Sequence, residues 1–291
     1  MTIRRLLLTL LLLVPLGIGG RVALEGWPAA LLPARATAEF ITLATTTGTE
    51  GSGLFPHLLP AFTRDTGIGV RVVTAGTGQV LQLGERGDAD VLLVHGPDAG
   101  LRFVADGWGV ERREVMSSGF ILIGPKSDPA GVAGGKDAVA AFRDAAAAQA
   151  PFITRGDGSA TNAAELRLWA AAGVDPRAAS ASTGWYKDIG GDMGQALTAA
   201  AVMGAYTLSG RSAWLGFTNR QDLAALVEGD GTLSSRYAAV LVNPERHPAV
   251  KAAPGRAFIA WLASPAGQGA IAGYRIGGEQ PFSPSAGKSG A

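Results

Sequence analysis

The chain has 291 residues, 47% hydrophobic and 17% charged, which is ample for one large domain or two lobes with a sizeable core. It contains no cysteine, so disulfides, thiolate metal sites and cysteine nucleophiles are excluded; its three histidines (His57, His95, His247) follow no HxxxH or HxH spacing, giving no support to a zinc or iron centre. The formal charge is +1, but without residues 1–38 the 25 basic residues fall by four to 21 and the 24 acidic by one to 23, and the resulting −2 argues against a nucleic-acid or anionic-membrane surface.

In chain order, the first feature is an export segment. Met1 to Arg5 carries two arginines, and Leu6 to Ile18 is an apolar run broken only by Thr9, Pro15 and Gly17. This is the layout of a secretory signal, with Ala36-Thr37-Ala38 as a small-x-small cleavage site before Glu39. Extended past Arg21, the same run would serve as an uncleaved anchor.

From Glu39 onward short apolar runs alternate with helical stretches. Phe40–Ala44 reads as a strand, Leu54–Arg64 as a helix stopped by Gly67, Val70–Thr74 as a strand, Val80–Arg86 as a helix and Val91–Val94 as a strand. Gly119–Gly124 follows as a strand, then an alanine-rich helix over Asp137–Ala150, a strand at Phe152–Thr154 and a helix over Ala163–Ala172 closed by Gly173. A helix near Gly194–Met203, strands at Ala205–Leu208 and Tyr237–Val242, and helices at Arg256–Leu262 and Pro265–Ala272 complete the reading. The β/α alternation and the near-continuous apolar character of the strands predict a parallel sheet covered on both faces. Roughly 250 residues with this many strands favour two sheets, and "GFILIG" and "YAAVLVNP" are candidate crossings between two lobes.

Three strand-to-helix junctions share one design. "TTTGTEGSG" after the first strand, "TAGTGQ" (Thr74–Gln79) and "TRGDGSATN" (Thr154–Asn162) each gather hydroxyls and glycines. A helix N-terminus offers unpaired N–H groups and partial positive charge, glycine lets an anion approach the backbone, and Ser and Thr add donors. Arg155 supplies a planar fork suited to two oxygens of an oxyanion. Any one loop taken alone reads as a helix cap; Glu50, three residues after Thr47, makes Thr47 the candidate first residue of a capping box. No GxxxxGK[ST] motif or dinucleotide fingerprint is present, so nucleotide binding is not expected.

The segments "LATTTGTEGSGLFPHLLPAF", "GTGQVLQLGERGDADVLLVHGPDA", "GWGVERREVMSSGFILIGPKSDPAG", "FITRGDGSAT", "WYKDIGGDMGQALTAAAVMGAYTLSGR" and "NPERHPAV", in this order, resemble the tungstate-binding periplasmic substrate-binding component of ABC transporters. The resemblance runs from about Phe40 to Pro281. It implies an α/β type II periplasmic binding fold: two α/β lobes, a two-strand hinge and a tetrahedral oxyanion in the cleft between them. On this basis residues 1–38 are the signal or anchor, 39–118 the first part of lobe 1, 119–240 lobe 2 and 241–291 the return to lobe 1 with the tail. Carried over residue by residue, the anion-binding set is Thr45, Thr46, Thr47, Thr77, Gly78, Arg155, Ser159, Thr161, Met193 and Gly194. Gly48 departs from the serine usual after the three threonines, so either a donor is missing or the Gly48 N–H replaces it; "GSAT" stands where "SGT" is usual.

The resemblance implies an exported, monomeric binding protein with no enzymatic activity, no cofactor and no nucleic-acid partner, delivering tungstate or molybdate to a membrane permease. An anion of charge −2 taken from water needs about seven to nine donors, which these loops can supply. Asp157 discriminates between ligands: facing the cleft it would favour protonated phosphate, whereas the expected arrangement has it bracing Arg155 or a turn. The alternatives are a sensor or carrier of phosphate or another oxyanion, and, more remotely, a secreted hydrolase using Ser159 with Asp157 and a histidine, for which no GxSxG elbow exists.

Overall fold

The strand runs and the helices between them build one mixed ten-stranded sheet in the computed structural model, which describes residues 39–96 and 99–287. The export segment expected at 1–38 lies outside the described residues. Strand β1 (Phe40–Thr46) lies between β2 (Gly69–Ala75) and β3 (Val91–His95), parallel to both. Helices α1 (Thr47–Glu50) and α2 (Leu54–Thr66) connect β1 to β2, and α3 (Thr77–Glu85) leads on towards β3. Leu54, Phe55, Leu58 and Phe62 recur at helical spacing and are the buried stripe of α2, which ends where Gly67 takes a left-handed φ of 74°.

After α4 (Ala99–Ala105) comes β4 (Gly109–Pro125), a strand of 17 residues that joins the two halves of the molecule. Residues 109–119 pair antiparallel with β9 (Ser234–Val242), which also pairs antiparallel with β3. From Phe120 on, β4 pairs instead with β7 (Tyr206–Gly210) and β8 (Leu223–Val227). Next to β7 lies β5 (Phe152–Thr154), parallel to it and to the edge strand β6 (Tyr186–Asp188). The first half is completed by α10 (Ala252–Ala263), α11 (Pro265–Gly273) and the short β10 (Ser283–Pro284); the second carries α5 (Ala138–Ala147), α6 (Ala160–Ala171), α7 (Pro176–Ser180), α8 (Met193–Met203) and α9 (Arg211–Gly216).

The cores follow the same division. One cluster joins residues 41–116 to residues 237–282, while two smaller ones, on either face of the second half-sheet, draw only on residues 120–233. The halves match the two α/β lobes that the resemblance implies. Three expectations are corrected. The sheet is mixed rather than parallel, because β4 and β9 run against their neighbours. The two sheets are hydrogen-bonded through β4. Tyr237–Val242 is not a crossing: it is paired along its length inside the first half, and the chain returns between Val227 and Ser234. Its apolar run reflects burial between β3 and β4 rather than a linking role.

Phe62, fully buried, meets Phe258 and Trp261 edge-on at centroid distances of 4.9 and 5.5 Å. Phe62→Ala should destabilise the first lobe by about 3–5 kcal/mol, read as a lower denaturant midpoint; a midpoint unchanged from wild type would contradict this packing.

Candidate functional site

The carboxyl ends of the parallel strands meet one small cavity. Thr46 and Ala75 are register partners at the ends of β1 and β2, and His95 ends β3; across from them the loop after β5 carries Arg155, and α9 begins just past β7. The cavity encloses about 80 Å³ between the lobes, far below the several hundred Å³ of sites for drug-sized ligands. It suits a small ion.

In the first loop, burial separates the three threonines. Thr45 is fully buried and its hydroxyl donates to Leu93 O at 2.8 Å, so it holds β1 to β3 and is not on the cavity wall. Thr46 caps α1: its Oγ1 accepts from Thr49 N (3.4 Å) and bonds Thr49 Oγ1 (2.8 Å). The capping box expected at Thr47 and Glu50 therefore gives way to a cap one residue earlier, because Thr46 keeps the extended backbone of the strand and Thr47 already begins the helix. Thr47 and Gly48 are left exposed on the wall, beside Thr46. In the second loop Thr77, the first residue of α3, reaches the wall; Gly78 does not.

The third loop holds the charge. Arg155 is 8% exposed, its Nε donates to Gly191 O at 3.3 Å and its Nη2 to Asp157 Oδ2 at 2.5 Å. Asp157 Oδ1 accepts from Ser159 N at 3.1 Å, so the carboxylate braces both the arginine and the turn, as expected. Gly156 has φ of 63°, and a Cβ there would sit 1.8 Å from Asp188 Oδ1, so this position requires glycine. Ser159 caps α6 by accepting from Asn162 N, and both Ser159 and Thr161 line the cavity. Met193, first residue of α8, also lines it; Gly194 faces an adjoining groove instead.

Outside the candidate set, the polar side chains on the wall include His95, Ser118, Ser212, Ser235 and Tyr237, and Asp157 lines it as well. His95 Nδ1 lies 3.1 Å from Ser235 Oγ and its ring stacks on Tyr237 at 4.6 Å. Burial, and then the positive charge of Arg155, push its pKa down to about 4, so the imidazole is neutral at physiological pH. Its place at the carboxyl end of β3, level with the two recognised loops, was the available signal. The polar residues of "SSGF" and "SSRY" interrupt apolar strands where the lobes meet, a weaker one. Among the described residues no histidine is hydrogen-bonded to Ser159 Oγ, which accepts from Asn162 N, while His95 bonds Ser235. Among the described residues no group of three or more His, Asp or Glu is placed to hold a metal cation.

The model of the PBP superfamily domain matches residues 33–266. A tungstate-binding protein TupA of Peptoclostridium acidaminophilum is 41% identical over 252 residues, covering 85% of this chain and 86% of that one. This chain belongs to the PBP superfamily, within the family of the TupA proteins. A protein of that family from Desulfovibrio alaskensis G20, described as a tungstate-binding protein, has a solved structure that superposes with a TM-score of 0.78 at 39% identity, covering 86% of this chain and all of that one. A putative ABC transporter anion-binding protein of Haloferax volcanii is 41% identical over 251 residues, covering 84% of this chain and 72% of that one. These relatives carry tungstate- or anion-binding names.

A neutral His95 stabilises the fold above pH 6.5, and that stabilisation is lost as pH falls towards 4, where the buried ring must take up a proton. An NMR titration of the His95 ring protons should give a midpoint near 4 in the unliganded protein; a midpoint above 6 would contradict the described burial.

Proposed function

We propose that the chain captures tungstate, with molybdate as its nearest competitor, outside the cytoplasm, and delivers it as a monomer to the permease of an ABC transporter. The supporting observation is the balance of the cavity: many hydrogen-bond donors, one arginine, and a carboxylate, Asp157, tied to that arginine and to Ser159 N. Arg155 has five N–H groups, of which two are engaged by Gly191 O and Asp157, leaving three for a ligand. Thr47, Thr77, Ser159 and Thr161 add hydroxyls, Thr46 contributes through its place at the wall, and Ser212 and Ser235 extend the set, whereas the Ser118 hydroxyl donates to Pro281 O at 2.9 Å. The N–H of Gly48 takes the place of the serine hydroxyl expected there. Met193 contributes its contact surface and the start of α8. Thr45, Gly78 and Gly194 are not part of the proposed set.

A fully deprotonated tetrahedral oxyanion presents only acceptors and matches such a wall. Hydrogen phosphate carries a proton that needs an acceptor, and the carboxylate on the wall, Asp157, is held in its own loop by Arg155 and Ser159 N, with its charge offset by the arginine. The name of the TupA relatives and the anion-binding description of the archaeal relative point the same way. In this reading lobe 1 comprises residues 39–118 and those from about 234 onward, lobe 2 the residues between, and the lobes close on the ion.

Calorimetry of the protein with tungstate, molybdate, sulfate and phosphate in turn tests the reading. Tungstate should bind tightly and phosphate should not. Arg155→Ala should weaken tungstate at least about a hundredfold, since charge-assisted hydrogen bonds contribute roughly 1.5–3 kcal/mol each and Asp157 would be left unopposed. Tight binding of phosphate alone, or an unchanged tungstate affinity in the variant, would overturn it.

A further inference from the structure

Below the Arg155 loop lies a buried carboxylate that the anion reading leaves unexplained. Glu165 is 2% exposed, yet it sits on α6, four residues after the cavity-lining Thr161 and so about 6 Å further along the same helix. Its Oε1 accepts from Trp169 Nε1 (3.1 Å) and Tyr186 OH (2.7 Å), and its Oε2 from Thr154 Oγ1 (2.8 Å). Thr154 is the residue before Arg155. Its Oγ1 also accepts from Asn162 Nδ2 (3.1 Å), and Asn162 Oδ1 accepts from Gly158 N (3.3 Å). A single hydrogen-bonded chain thus runs from the aromatic core around Phe142, Phe152 and Trp169, through Glu165, to both ends of the loop that carries Arg155 and Ser159.

We propose that Glu165 is a positioning residue for the oxyanion site, fixing the Arg155 loop through Thr154 and Asn162, and that its charge couples anion capture to proton uptake. This rests on the reading of the cavity as an oxyanion site. The hydrogen-bond partners of Glu165 are all neutral, so its ionised form has no counter-charge of its own, in an interior of low dielectric where charges act over long distances. The groups facing it are Tyr186 and Asp188 of β6, with Arg177 of α7 paired to Asp188 at 2.9 Å and Arg155 paired to Asp157. Burial, and to a lesser degree the negative charge of Asp188, outweigh the three donors and raise the Glu165 carboxyl to about 7. An oxyanion at the first turn of α6 adds further negative charge on the same axis, which favours the protonated acid. Binding near neutral pH therefore draws a proton onto Glu165, and ionisation of Glu165 opposes binding.

Glu165→Gln removes the charge while keeping the partners: the amide oxygen accepts from Trp169 and Tyr186, and the amide nitrogen donates to Thr154 Oγ1. Tungstate is titrated calorimetrically from pH 6 to 8.5, at each pH in two buffers of different ionisation enthalpy. Wild-type affinity should fall on the order of tenfold across this range, with net proton uptake near neutrality, while Glu165→Gln shows a flatter profile and less uptake. Thr154→Val, which cuts the tie to the loop and leaves the carboxylate in place, should bind several-fold more weakly throughout, and its pH-dependent fall should move to higher pH because the ionised carboxylate loses one donor. Equal slopes and equal proton uptake in wild type and Glu165→Gln would overturn the coupling, and full affinity in Thr154→Val would overturn the positioning role, both leaving the oxyanion reading intact. Failure of wild type to bind any tested oxyanion would overturn that reading itself.

Discussion

The pairing of Arg155 with Asp157 sets the character of the site. It places the guanidinium in a buried wall without an uncompensated positive charge, so the loop folds before any ligand arrives. The consequence is that the empty cavity is close to electrically neutral. In the proposed reading, attraction for an anion then comes from N–H and O–H groups fixed in advance, several of them at helix starts, and from the part of the guanidinium that Asp157 leaves free. In the proposed reading selectivity follows from the same pair: the carboxylate on the wall is turned to its own loop and neutralised by Arg155, so the donors dominate.

The fold makes this arrangement possible through strand direction. β1, β2 and β3 point one set of carboxyl ends at the cavity, β5 and β7 point another, and β4 passes from one set to the other without a break. Helix α6 shows how far a site can depart from ordinary packing: Thr161, Asn162 and Glu165 are buried in its first half beside Ala164, and large buried apolar residues follow only at Leu168 and Trp169. Polar burial of that kind costs stability unless each group is satisfied, and here Asn162 and Glu165 both bond to the loop they support.

Much of this was legible in the chain. The Gly- and hydroxyl-rich junctions after β1, β2 and β5 are local signals, and Arg155, Ser159, Thr161 and Thr77 stand out because strand, turn and helix start follow within a few residues. What was not legible depends on long-range pairing. Thr45 and Thr46 differ only in register, and one residue of register decides which hydroxyl turns towards Leu93 and which caps a helix. Ser118 and Ser235 reach the cavity because β4 and β9 cross there, a contact between residues far apart in sequence. The apolar run Tyr237–Val242 suggested a crossing for the same reason that any buried strand would, and only its partners place it in the first half. Glu165 shows no local signal beyond its i, i+4 relation to Thr161 and Trp169.

The central claim is that a fully deprotonated oxyanion is held between the lobes by hydrogen bonds alone. Anomalous diffraction at a tungsten absorption edge, from crystals of the tungstate complex, tests it most directly. The account predicts one strong peak inside the cavity, with Arg155 and the start of α6 donating to the ion's oxygens and every other near neighbour a donor. A peak elsewhere, or tungsten bonded directly to a side-chain oxygen such as that of Asp157, would contradict it.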